Sequence, residues 1–419
     1  MKLTISALGD QGDGISHTDG KTAFVAGALP GETVEATGTP PYLSVASIDV
    51  TSPHRVDPIC SHFGVCGGCA VQHLSPAEQL RWKQDKVVSA LQKTGINAKV
   101  DDCVPCPDQS RRRVTFSVRR GSDSVELGFK RRSSDELVDL NECPILMPEI
   151  SGELEALRKI SASILRGNEE IQVLVTAADN GLDLSFSLPG LPSDAMLADF
   201  VRAFAKTSFL RASANGELLV EKTRPVVHFG EAEVDLPTVS FLQSVSAIEE
   251  QMSARVCDHL KKSKKVVDLF CGAGTFALRL AARSSVHGVE AEEPALRALA
   301  AARLAPGSKR ITTEQRDLFE TPLLARELSA YTGICLDPPR AGAAAQVAEI
   351  AKSDVGRIAY VSCNPTTLAK DLATLAKAGF NLDSVTPFDQ FAHSPHVEVV
   401  ALLSRKADRR RQSIFSRKV

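Results

Sequence analysis

Cys60, Cys66 and Cys69 sit in a loop that also holds Gly64, Gly67 and Gly68, and Cys143 follows in Asn141-Glu-Cys143-Pro144. Three closely spaced thiols plus a distant one suit a [4Fe–4S] cluster, and the glycines let the backbone wrap it. Zinc with four cysteines is the chemical competitor. Cys103 and Cys106 offer a second thiol pair, so spacing alone leaves the fourth ligand open. A different chemistry is suggested at Val361-Ser-Cys363-Asn-Pro365. Pro365 forces Asn364 to be extended, so Cys363 leaves a strand facing a cleft. A thiol there is a candidate nucleophile, and the following helix N-terminus is expected to lower its pKa. In His396-Val-Glu398, strand alternation puts His396 and Glu398 on one face. Either can serve as a general base.

The run Lys264-Lys-Val-Val-Asp-Leu-Phe270 reads as a buried strand entering Cys271-Gly-Ala-Gly274-Thr275. Glycines there let the backbone turn tightly and approach a ligand, with a helix expected from about Thr275. Glu290 ends the next strand, where an acid accepts hydrogen bonds from ribose hydroxyls. An adenosine-containing cofactor follows, although the turn alone does not separate a dinucleotide from S-adenosylmethionine. Asp317 is placed to meet an adenine ring, and Asp337-Pro-Pro-Arg340 is a rigid turn suited to a planar base. A dehydrogenase needs neither, so both favour the methyl donor.

These groups need a scaffold. The chain has 419 residues, 43% apolar and 24% charged, enough for two to three domains with ordinary globular cores. No apolar run is long enough to span a membrane. The N-terminus loses its apolar character within ten residues, unlike a secretory signal, so a cytoplasmic protein is expected. Disulfides are disfavoured in that compartment, which turns ten cysteines towards metal or catalysis. The net charge of −2 excludes a uniformly basic protein but not local patches. One such patch runs from Ser110 to Arg120, with five arginines around Phe116, and Lys130-Arg-Arg132 follows. It suggests phosphate contacts with base stacking. Another is the tail from Arg405, with seven Lys or Arg, a candidate polyanion contact.

Residues 1–50, broken by glycines and the Pro30-Gly31 turn, suggest a small OB-like β-barrel. Residues 51–239 read as a central α+β domain: helices near 75–94 and 148–165 with alternating strands such as Val114–Val118 and Val125–Phe129. Residues 240–419 carry the βαβ texture of a doubly wound, Rossmann-like parallel sheet. Its strand candidates are Ser285–Glu290, Ile334–Asp337, Arg357–Ser362 and His396–Ser404.

Phe241-Leu-Gln243, Asp268-Leu-Phe-Cys-Gly-Ala-Gly-Thr275, Asp337-Pro-Pro-Arg340, Ser362-Cys-Asn-Pro365 and His396-Val-Glu398 occur in one order. In that order the chain resembles the RNA (uracil-5-)-methyltransferase family, and residues 1–50 resemble its TRAM module. The resemblance implies a methyltransferase with Cys363 as nucleophile towards uracil carbon-6 and Glu398 as the base at carbon-5. It implies S-adenosylmethionine held by Gln243, Phe270, Thr275, Glu290, Asp317 and Asp337. It implies a [4Fe–4S] cluster on Cys60, Cys66, Cys69 and Cys143, as in ribosomal members, with a structural and RNA-docking role. The implied partner is RNA, 23S rRNA ahead of the T-loop uridine of tRNA, bound by a monomer. A non-catalytic Fe–S RNA-binding protein is the rival from another class. Val245 and Thr275 depart from the asparagine common at those family positions.

Overall fold

Every second residue of Thr33–Thr39 begins by turning inward, burying Val34 and Ala36, and this alternation builds the first sheet. The computed structural model describes residues 1–405 apart from 19, 122, 123 and 168; the basic run from residue 406 onward lies outside the described residues. The described chain forms two units. The first comprises Met1–Lys86, Pro105–Thr223 and Asp389–His396; the second comprises Val87–Val104, Arg224–Phe388 and the chain from Val397. Among the described residues no helix is long and apolar enough to cross a membrane.

In the first unit, Lys2–Thr4, Thr33–Thr39, Tyr42–Val50, Lys21–Ala26, Gly14–Thr18 and Ala7–Leu8 form one sheet in that order. The expected barrel is corrected: the sheet does not close. Its first segment gives Lys2–Thr4 to one edge and Ala7–Leu8 to the other. Ile5, buried between them, donates its N–H to the Glu32 carbonyl at 2.9 Å, the next step in the register that pairs Lys2–Thr4 with Thr33–Thr39.

A second sheet runs in the order Glu217–Glu221, Arg211–Ala214, Gly181–Ser187, Glu170–Ala178, Arg113–Arg120, Val125–Lys130, Leu137–Asp139. It is antiparallel except where Gly181–Ser187 meets Arg211–Ala214. Phe116, Phe186, Phe200 and Phe204 form part of its core. The expected helix at 148–165 is observed as two, Pro148–Ser151 and Leu154–Ala162, parted at Gly152. The helix expected at 75–94 is Pro76–Lys93.

Lys83 on that helix is fully buried and ion-paired to Asp389, with its Nζ also donating to the Phe391 carbonyl at 2.8 Å. Removing one partner strands the other charge. Lys83→Ala is expected to cost about 3–5 kcal/mol of stability, read as a lowered urea midpoint. Lys83→Met with Asp389→Leu is expected to recover most of it, because the pair also carried a desolvation penalty.

The second unit holds the sheet Ile311–Gln315, Ser285–Glu290, Lys265–Leu269, Gly333–Leu336, Arg357–Ser362, Glu398–Ser404, Asn381–Phe388. The first five are parallel, and Glu398–Ser404 is antiparallel to both of its neighbours. Apolar strands such as Arg357–Ser362, buried at every position after the first, require cover on both faces. Chain order reverses between Lys265–Leu269 and Gly333–Leu336. Ligands of such sheets bind at that switch point, outside the C-terminal strand ends. The expected strands Ser285–Glu290 and Arg357–Ser362 are observed as read. The last strand starts two residues later than expected, at Glu398.

Candidate active site

Cys363 is the first residue after Arg357–Ser362, and Glu398 opens the antiparallel strand beside it. The ladder pairs Ser362 with Val399, so the next step in register sets Cys363 opposite Glu398. Glu398 is 3% exposed and Cys363 is half-buried. Burial pushes the Cys363 thiol up to about 11, and the nearby Glu398 and Asp337 charges push it the same way. This overturns the expected lowered pKa. The helix Pro365–Lys377 does begin there, with the Asn364 side chain accepting the Thr366 N–H at 3.1 Å. Its N-terminal field favours an anion, but two carboxylates and lost hydration outweigh it. His396 is exposed and precedes the strand, so the alternation that paired it with Glu398 does not exist. Glu398 remains as the base candidate.

The glycine turn stores three left-handed residues, Phe270 at φ +61°, Gly272 at +53° and Gly274 at +103°. A Cβ on Gly274 would meet Leu299 Cδ1 at 2.6 Å, whereas nothing lies within 4 Å of one on Gly272. The turn is therefore packed on one side and open on the other. Glu290 Oε2 accepts the Gly272 N–H at 3.0 Å, and Oε1 accepts those of Ala291 and Glu292 at 2.7 and 3.1 Å. Carboxylate oxygens have further lone pairs for a ribose hydroxyl. The helix expected from Thr275 is a single turn, Ala277–Leu280, because the chain must return at once to start Ser285–Glu290. Thr275 therefore lies in the turn rather than on a helix.

Gln243, 2% exposed, donates from Nε2 to Asp337 Oδ2 at 3.1 Å. Burial raises Asp337 to about 7 against that hydrogen bond. Asp317 follows Ile311–Gln315, beside the end of Ser285–Glu290, and its Oδ1 accepts the Phe319 N–H at 2.8 Å. Phe319 is 48% exposed and its ring lies 5.4 Å from that of Phe270. Phe319 carried no reading in the sequence, and Asp268 appeared there only as part of the Asp268–Thr275 motif, with no role of its own. Asp268 is fully buried, and burial raises it to about 8. An acid inside Val266-Val-Asp-Leu269 was the available signal.

The rim thus gathers Glu290, Asp317, Asp337 and Glu398. A carboxylate-lined crevice attracts a cationic ligand such as a sulfonium and repels the pyrophosphate of a dinucleotide.

Cys60, Cys66, Cys69 and Cys143, the expected cluster ligands, are free thiols of the first unit, and Cys66, Cys69 and Cys143 each feel the charge of at least one other of the set. The two loops that carry them are fastened together. Ser61 donates its N–H and Oγ to Glu142 at 3.0 and 2.7 Å, and Asn141 donates its N–H to His62 Nε2 at 3.2 Å. Gly68 donates its N–H to Cys66 Sγ at 3.4 Å. Among the described residues no three His, Cys, Asp or Glu side chains are arranged around a single metal ion. This holds for the expected [4Fe–4S] ligand set as much as for its zinc rival: neither is preformed among the described residues.

The arginine run does not form the expected stacking surface. Phe116 is fully buried, and Arg112 is 5% exposed. Arg119 pairs with Glu126, Lys130 with Glu170, Arg131 with Glu136 and Arg132 with Asp13. Strand alternation and acidic neighbours, two of them local (Glu126, Glu136) and two distant in sequence (Glu170, Asp13), take up charge that the linear run displays.

The chain is similar to known proteins along nearly its whole length. Residues 312–406 match the family model described as tRNA (Uracil-5-)-methyltransferase, and residues 1–37 match the TRAM domain. A Mesorhizobium japonicum RNA methyltransferase is 44% identical over 98% of this chain and 99% of its own. The Erwinia tasmaniensis 23S rRNA (uracil(1939)-C(5))-methyltransferase is 34% identical over 97% of this chain and 96% of its own. The fold matches Pyrococcus abyssi tRNA (uracil-54, C5)-methyltransferase, solved with S-adenosyl-L-homocysteine, with a TM-score of 0.73 at 23% identity, covering 96% of this chain and all of that one.

Proposed function

Because the chain belongs to the RNA (uracil-5-)-methyltransferase family, we propose that it methylates carbon-5 of a uridine in 23S rRNA through a covalent cysteine–uracil adduct. The observation that carries this reading is the register that sets Cys363 opposite Glu398 beside Asp337. Cys363, once its thiol proton has passed to solvent, adds as the thiolate to carbon-6, and the carbon-5 to carbon-6 π electrons become an enolate-like nucleophile. Gln243, Phe270, Thr275, Glu290, Asp317 and Asp337 would hold S-adenosylmethionine, which would supply the methyl group to carbon-5, the methyl–sulfur bond breaking with its electron pair on sulfur so that S-adenosylhomocysteine leaves. Glu398 then removes the carbon-5 proton, the double bond re-forms, and the sulfur–carbon-6 bond breaks to free Cys363. The target base must leave its stack to reach the thiol, so a loop or splayed nucleotide is the substrate.

The identity to a 23S rRNA enzyme over nearly both chains supports ribosomal RNA. The test is mass spectrometry of 5-methyluridine in purified 23S rRNA and tRNA, with and without the gene. Loss from 23S rRNA alone is expected. Loss from tRNA alone would keep the chemistry and replace the substrate, and loss from neither would sink the enzyme reading.

Residues 1–50, 51–239 and 240–419 divide the work into a TRAM-like RNA-binding module, a central domain and the methyltransferase domain of a cytoplasmic monomer. Cys60, Cys66, Cys69 and Cys143 fit a [4Fe–4S] cluster, because two loops far apart in sequence are fastened together with free thiols between them. Bound there, the cluster would cross-link the loops. Anaerobically purified protein is expected to hold about four irons per chain with broad visible absorbance. Zinc without iron would overturn this assignment.

A further inference from the structure

Asp337 and Cys363 each leave the end of a strand, and those two strands are neighbours: Gly333–Leu336 pairs with Arg357–Ser362, with Leu336 opposite Tyr360. Strand pairing fixes where the loops start. It does not fix the loops themselves, which run on through Pro338 to Ala343 and through Asn364. Side chains do that. Tyr360, fully buried, donates its hydroxyl to Asp371 Oδ2 at 2.6 Å. The Ala343 N–H donates to the same oxygen at 3.0 Å. Asp371 is itself 5% exposed and sits on the helix Pro365–Lys377 that follows Cys363. At the near end of that helix, Asn364 Nδ2 and Thr367 Oγ1 donate to the Arg340 carbonyl at 3.0 and 3.4 Å.

We propose that Asp371, with Tyr360, is a positioning residue for methyl transfer: one buried carboxylate oxygen ties the Asp337–Arg340 loop to the strand and helix that flank Cys363. Asp371 touches no reacting atom. It acts through the loop ends, and three elements meet on its single oxygen. A carboxylate suits this junction because each oxygen accepts two hydrogen bonds from different directions. An apolar residue would fill the space but leave a buried amide and a buried hydroxyl without an acceptor. This inference rests on the proposed function for its turnover readout and on the geometry alone for its second readout.

The test compares Asp371→Ala, Asp371→Asn and Tyr360→Phe with the wild-type chain. Turnover is measured on 23S rRNA fragments. Alkylation of Cys363 by iodoacetamide at pH 8 is measured without RNA. A misplacement of about 1 Å costs on the order of 100-fold, so Asp371→Ala is expected to lower kcat by about that factor with KM for RNA little changed. Asp371→Asn keeps a carbonyl acceptor and is expected to recover most of kcat. Tyr360→Phe, which removes one hydroxyl and no packing, is expected to fall between them. Release of Asp337 from beside the thiol is expected to speed alkylation at least ~3-fold in Asp371→Ala, the effect of half a pKa unit. If alkylation and kcat of folded Asp371→Ala both match wild type, the inference fails. It also fails if Asp371→Asn is as damaged as Asp371→Ala in both readouts. If Asp371→Ala does not fold, Tyr360→Phe decides by the same two measurements. An inactive wild type would sink the functional reading while the alkylation comparison still judges this one.

Discussion

Cys363→Ala is expected to abolish methyl transfer, by on the order of 10⁴- to 10⁶-fold, while S-adenosylhomocysteine binding persists. Carbon-5 of uracil is a poor nucleophile until a group adds to carbon-6, and Cys363 is a half-buried thiol at this rim opposite a carboxylate. Cys271 and Cys335 are buried. A residual rate of one tenth would mean that addition by Cys363 is not the route. The intermediate can be captured separately. RNA carrying 5-fluorouridine lacks the proton that Glu398 removes, so the adduct with wild-type protein should persist on a denaturing gel. It should be absent with Cys363→Ala. Glu398→Gln should give a persistent adduct with ordinary uridine, because addition and methylation precede the step it blocks.

The thiol itself is expected to react slowly at rest. A pKa of about 11 leaves roughly 300-fold less thiolate at pH 7 than an ordinary cysteine near 8.5. Iodoacetamide should therefore modify Cys363 sluggishly at pH 7, with the rate rising about tenfold per pH unit through pH 8 to 10. The sign follows from the cause: burial and two neighbouring carboxylates disfavour the anion, so the proton is held to higher pH. Glu398→Gln removes one of those charges. It should speed alkylation at pH 8 while slowing turnover, and these opposite directions separate electrostatics from general damage. Rapid alkylation at pH 7 would restore the helix N-terminus as the dominant influence.

Much of this protein was legible along the chain. Apolar runs of strand length mark the parallel sheet, glycines mark the turn after Leu269, and Asp337 and Cys363 stand out in the sequence as candidate groups just past strand ends. Such features are local: alternation, turn chemistry and caps act over two to four residues. Tertiary structure decided the rest. That Glu398 and not His396 faces Cys363 depends on where an antiparallel strand begins and which neighbour it takes. That the thiol is raised rather than lowered depends on summing burial with carboxylates from two other strands. Arg132 looked free for RNA in the sequence, yet its partner, Asp13, lies far away along the chain. The first sheet leaves Lys2–Thr4 at one edge and Ala7–Leu8 at the other, an order set by pairings between distant segments. Tyr360 and Asp371 carried no motif, since each matters only through an oxygen shared with Ala343. Residue type and spacing fix which groups are available. Strand order and burial fix which of them meet and with what charge, because both arise from contacts between segments that the sequence keeps apart.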